Sequence, residues 1–213
     1  MPRTKQPRKS PARAVRKPEA EGKRAYLSRD LRRRTLLEVA AGIVEREGWT
    51  ALTMSALAEN GGTSRQLVYQ HFPSLEKLLA DTAWFIFEET MLQTRASVAA
   101  HPSSLVEAVK MAESFTLDLS PGRGDALWQL IAGTAAASPE LEKIRANLRQ
   151  MIGGVWTPLV RKELDLAPAD ARAYAWFTVM AFWGMRQLVR DGELTRARGT
   201  KLFNDFLERV TRR

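Results

Sequence analysis

At 213 residues, 45% of them hydrophobic, the chain has room for one large domain or two small ones with a real core. Zero cysteines exclude disulfides, thiolate nucleophiles and sulfur-ligated metals, and two histidines leave little for zinc or general base catalysis, so no catalytic site, metal or cofactor is expected. The net charge of +9 points to a polyanionic partner, while no run of some eighteen apolar residues and no apolar stretch behind the basic start point to a cytoplasmic chain with no membrane attachment.

The charge is concentrated at the start. Residues 1–34 hold 13 lysines and arginines against 3 acidic residues, and the remainder holds 20 against 21. Four prolines, few large apolar side chains and dense like charge cannot repay the entropy of ordering. Residues 1–27 are therefore expected to be a disordered basic arm that meets nucleic acid first and anionic lipid second.

From Leu36 onward, Leu36, Val39, Ala40, Ile43 and Val44 recur at the spacing of one helical face, and Gly48 ends that helix. Thr53 is placed to cap a second short helix carrying Met54, Leu57 and Ala58, which runs into Asn60-Gly61-Gly62, where glycine supplies the left-handed turn. Thr63 or Ser64 caps a third helix, and Pro73 closes it. Pro73, Pro102, Pro121, Pro139 and Pro168 each precede a new periodic stretch, predicting helices over about 74–100, 103–120, 124–137, 139–165, 169–191 and 196–212. Pro158, after Gly153-Gly154, is expected to kink the one over 139–165. No alternating pattern competes, so the fold class is all-α.

A helix, a glycine turn and a short helix with polar residues at its amino end is the layout of a helix-turn-helix, whose second member reads the major groove. That helix must bury one side, here Val68 and Phe72, and offer hydrogen-bonding groups on the other. Arg65 suits guanine O6 and N7, Gln66 suits adenine N6 and N7, and Leu67 suits a thymine methyl. Tyr69 and His71, near the carboxyl end, are placed for phosphates.

Residues 33–79, "RRTLLEVAAGIVEREGWTALTMSALAENGGTSRQLVYQHFPSLEKLL", resemble the DNA-binding domain of the tetracycline-repressor (TetR) family. Leu36-Leu37-x-x-Ala40, Arg46-Glu47-Gly48, Thr53, Leu57-Ala58, Gly62-x-Ser64, Tyr69-x-His71-Phe72 and Leu78-Leu79 coincide in order and spacing. The resemblance implies a helix-turn-helix domain over 28–73, a helical ligand-binding and dimerisation domain over 74–213, a homodimer joined by its last two long helices, and a palindromic operator on double-stranded DNA released by a small-molecule effector. Carried over by position, Thr53, Ser64, Arg65, Gln66, Tyr69 and His71 are the DNA contacts. The chain departs from the pattern at Thr63, where a small aliphatic residue is usual, at Leu67, often threonine, and at Leu75, where the family carries a phosphate-reaching lysine. Lys77 lies two positions on, about 200° around a helix. It is counted with the expected DNA contacts, as is Arg33, which with Arg32, Arg34 and the arm makes up the missing charge. Deleting residues 1–27 is then expected to lower affinity and flatten the salt slope by up to about 0.9 for each phosphate that is no longer neutralised, read from binding titrations at several salt concentrations.

The helix over 169–191 carries one apolar stripe at Tyr174, Phe177, Thr178, Ala181, Met185 and Leu188 and another at Trp176, Val179, Met180 and Trp183, so both sides need cover. Trp176, Met180 and Trp183, with Phe203, Phe206 and Val210 of the last helix, are expected at the subunit interface. Six tryptophans and seven methionines invite an apolar effector cavity. Met111, Phe115, Trp128, Met151 and Trp156 are its expected walls, and the few charges in these stretches favour an apolar or aromatic effector. Two rival readings are an architectural DNA binder that relies on its basic arm and an all-α enzyme or lipid-binding protein that uses the cavity.

Overall fold

The computed structural model describes residues 18–133 and 139–211, with side chains for all of these except 18–28 and 140. Among the described residues every regular element is helical. Its elements are α1 (Pro18–Glu47), α2 (Met54–Asn60), α3 (Arg65–His71), α4 (Leu75–Ala100), α5 (Leu105–Leu117), α6 (Pro121–Ala132), α7 (Pro139–Leu164), α8 (Pro168–Arg190) and α9 (Arg196–Thr211), with one 3-10 turn at Trp49–Ala51. Contacts group Leu36–Arg213 into one compact unit and the residues up to Thr35 into another.

The start of α1 corrects the expected arm. Helix begins at Pro18, so residues 18–27 are helical, while 1–17 lie outside the described residues. The local signal was present: proline at the first helical position, then Glu19 and Glu21 where acidic residues favour a helix start. Composition alone pointed the other way.

Within 36–213 the chain ends its helices by local chemistry. Thr53, Ser64, Ser74, Ser104 and Ser120 each cap the following helix by accepting a backbone N–H. The α2–α3 turn is a glycine C-cap: Gly62 takes φ 57°, the Thr63 N–H reaches the Ala58 carbonyl at 2.9 Å, and the Gly62 N–H reaches that of Glu59 at 3.1 Å. Gly61, the preceding residue, has φ −84°. The helix of α7 continues through Pro158.

The expected division at residue 73 is not a gap in contacts, because α6 joins both sides. The Trp49 indole N–H donates to the Ala126 carbonyl at 3.1 Å, and Arg123 pairs with Glu45 of α1 and, at 3.7 Å, with Glu89 of α4. One continuous core runs from Leu36, Ile43, Leu57 and Val68 through Leu78 and Phe87 to Leu127, Leu148 and Leu207.

Candidate nucleic-acid interface and ligand cavity

Seven residues of α3 make a rod about 10 Å long, too short to persist without tertiary support. Val68 and Phe72 supply that support, both at 0% exposure in the core. With that side fixed, the i, i+1, i+4, i+5 positions Arg65, Gln66, Tyr69 and Gln70 face outward, Tyr69 at 52% exposure. Leu67 and His71 are half-buried at the margins, the His71 ring 6.5 Å from that of Phe72.

Thr53 and Ser64 are exposed, and their hydroxyl oxygens accept from the Ala56 N–H at 3.0 Å and the Leu67 N–H at 3.2 Å. Each keeps its own O–H, the group that donates to a phosphate oxygen. Arg46 donates to the Asn60 side-chain oxygen at 3.2 Å and so pins the end of α1 to the end of α2. Lys77 is exposed and ion-paired at 2.8 Å with Asp81, whose side chain is mostly buried. Arg33 belongs to the N-terminal unit, on α1. Arg65→Ala is expected to weaken binding to a selected operator by about 1–3 kcal/mol per half-site and to relax base preference at one position, measured by titration against single-base variants.

A cavity of about 60 Å³ lies in the larger unit, walled by α4 (Phe87, Thr90, Met91, Thr94), α5 (Val109, Ala112, Glu113, Thr116), α6 (Ile131), α7 (Ile152, Trp156) and α8 (Thr178, Val179, Phe182, Trp183). That is room for roughly four waters, so a ring-sized ligand requires adaptable side chains such as Met91 to shift. Of the expected walls only Trp156 lines it. Met111 is 46% exposed, Phe115 lines an open cleft with Glu89 and Arg123, Met151 lines a surface groove beside Trp84, and Trp128 stands behind Trp183, their rings 6.2 Å apart. The correction follows from helical phase. Val109, Ala112, Glu113 and Thr116 share the inward i, i+3, i+4, i+7 face of α5, which turns Met111 and Phe115 away. Glu113 corrects a second expectation: the wall includes a carboxyl group, 3% exposed.

Residues 36–82, which contain α2, α3 and the anchoring part of α1, match the family of bacterial regulatory proteins, tetR family. That segment carries the amino-terminal domain of the TetR family. The chain is 27% identical over 137 residues to the nucleoid occlusion factor SlmA of Marinomonas sp. (strain MWYL1), across 63% of this chain and 68% of that one. In fold it is similar to a TetR transcriptional regulator from Legionella pneumophila, with TM-score 0.67 and 13% identity over 84% of this chain and 96% of that one. It also resembles the multidrug binding protein EbrR in complex with proflavin, with TM-score 0.57 and 19% identity over 84% and 99% of the two chains. The match at 36–82 is to a family of regulatory proteins, and the all-α fold is that of the structural neighbours.

The chain's own core covers part of the expected interface set on the last two helices. Trp183 and Phe203 are each 4% exposed, packed edge to face against Phe182 at 5.7 Å. Trp176 is half-buried under the Arg149 guanidinium, 4.4 Å from its ring, and Met180 and Val210 are half-buried. The exposed apolar row is instead Tyr174, Phe177 and Leu188 of α8 with Leu202 and Phe206 of α9, of which only Phe206 was expected. Both α8 stripes have helical spacing, and periodicity does not say which one the chain's own core covers. No helix of the described residues is long and apolar enough to cross a membrane.

Proposed function

We propose that this chain is a homodimeric, sequence-specific repressor that leaves a palindromic operator when a small molecule enters the α4–α8 cavity, with no catalysis. Residues 28–73 serve DNA and 74–213 serve ligand and partner. The observation that carries the reading is a helix held by fully buried Val68 and Phe72 that turns Arg65, Gln66 and Tyr69 to solvent, inside the segment 36–82 that matches the family. Thr53, Ser64, Leu67, His71 and Lys77 flank it as positioning contacts, and Arg33 with the arm adds phosphate charge. For release, the liganded dimer must favour a separation of the two α3 helices other than about 34–36 Å, one DNA turn. EbrR is a multidrug binding protein of similar fold, which supports a cavity with that role here.

Selection of bound sequences from a random DNA pool at moderate salt tests the reading. A palindromic consensus supports it. Retention without a consensus favours the architectural binder, and no retention overturns both.

The exposed row supports the dimer. Tyr174, Phe177, Ala181, Gly184 and Leu188 repeat at alternating three- and four-residue steps, a narrow seam suited to an isologous helix pair. Phe177 is 61% exposed at its middle. Phe177→Asp is expected to weaken dimerisation by about a hundredfold or more, since each copy adds a like charge to a self-complementary surface. Sedimentation velocity checks this; an unchanged dimer places the interface elsewhere.

A further inference from the structure

The cavity contains polar atoms that an apolar effector leaves unused. Thr94, Thr116 and Thr178 donate to carbonyls of their own helices at 2.8, 2.8 and 3.0 Å. Two buried lining atoms have no hydrogen-bond partner among the described residues, Glu113 Oε1 and Thr90 Oγ1. Buried polar groups are satisfied in nearly all folded proteins, so such a pair inside a cavity marks a place for a ligand's donors.

The charges around Glu113 are already committed. Lys110, one turn back on α5, pairs with Glu107 at 3.2 Å, and Arg196 of α9 pairs with Asp118 at 2.7 Å. Thr200 of α9 acts on the carboxyl group in the same sense as these cations, and the lining residues of α4, α6, α7 and α8 include no titratable side chain. Burial outweighs Thr200, Arg196 and Lys110 and holds the Glu113 carboxyl above the usual carboxylate range.

We propose that Glu113 makes this cavity a site for a lipophilic ammonium ion, whose N–H groups donate to Glu113 Oε1 and Thr90 Oγ1 while its apolar body packs among Phe87, Trp156 and Phe182. The proposal rests on the effector reading above and names the chemical class of effector. A cation supplies both missing donors and neutralises the carboxylate in a dry site, and the faces of the aromatic rings attract it further. A neutral apolar ligand leaves both atoms unpaired, and an anion meets a like charge.

Isothermal titration of the full-length protein with 2-phenylethylamine and with 2-phenylethanol, nearly identical in shape and both able to donate, isolates the charge. At about pH 7 the ammonium is expected to bind about ten- to a hundredfold more tightly than the alcohol. Glu113→Gln should cut that preference to under about twofold. A second measurement needs no variant: as pH rises and Glu113 ionises, the ammonium's affinity rises more than the alcohol's. Equal binding of the two probes, no binding of either, a preference that survives Glu113→Gln, or a flat pH series overturns the proposal. The DNA selection is independent. A palindromic consensus without ammonium preference sinks the cation site alone, and ammonium preference without DNA retention sinks the repressor reading alone.

Discussion

Phe72→Ala is expected to lower the unfolding free energy by about 3–5 kcal/mol. Phe72 is at 0% exposure at the end of α3, where its backbone N–H caps the helix on the Val68 carbonyl at 2.8 Å and its ring fills the core. A seven-residue helix contributes almost nothing to its own stability, so α3 keeps its place through Val68 and Phe72 and through the cap at Ser64. Removing the ring leaves a cavity that so short a helix closes only by tilting, which misaims Arg65, Gln66 and Tyr69. The midpoint of thermal unfolding should fall by about 6–20 °C, and operator affinity should drop even where the variant remains folded. Gln66→Ala is the control: exposed, it should stay within about 0.5 kcal/mol of the parent stability while altering DNA selection. An unchanged midpoint for Phe72→Ala would show that α3 is anchored some other way.

Gly122→Ala is expected to cost about 1–3 kcal/mol and to blunt the effector response. A β-carbon at Gly122 would lie 2.3 Å from the backbone oxygen of Glu45 and 3.0 Å from its carbonyl carbon, so main chain and not a flexible side chain must yield. That close approach seats the start of α6 against the last turns of α1, where Arg123–Glu45 and Trp49–Ala126 also bind. At its other end α6 places Ile131 in the cavity wall and Trp128 against Trp183. A helix of twelve residues, about 18 Å long, thus joins the cavity wall to the end of α1. A ligand that moves the far end of α6 moves α1 only if the near end is held. Gly153→Ala, inside α7 with nothing within 4 Å of the added carbon, is the matched control and should be neutral or stabilising by up to about 1 kcal/mol. Parent-like stability and effector response in Gly122→Ala would remove α6 as the connecting element.

What the sequence determined by itself is whatever is decided within a few residues. Thr53, Ser64 and Ser74 cap because a hydroxyl three positions ahead of an orphan N–H satisfies it, and Gly62 turns the chain because a left-handed residue without a β-carbon costs little. The same locality made the outward face of α3 legible, since Val68 and Phe72 leave Arg65, Gln66 and Tyr69 only one direction to point. Tertiary structure alone decided where apolar residues go once a helix has two apolar faces. Trp183 and Phe203 turned inward and Tyr174 and Phe177 outward, Met111 and Phe115 left the cavity, and Glu113 entered it. The hydrophobic effect rewards removal from water without regard to which surface does the covering, so pattern and composition carry no record of that choice; it is made by the fit of helices far apart in the chain.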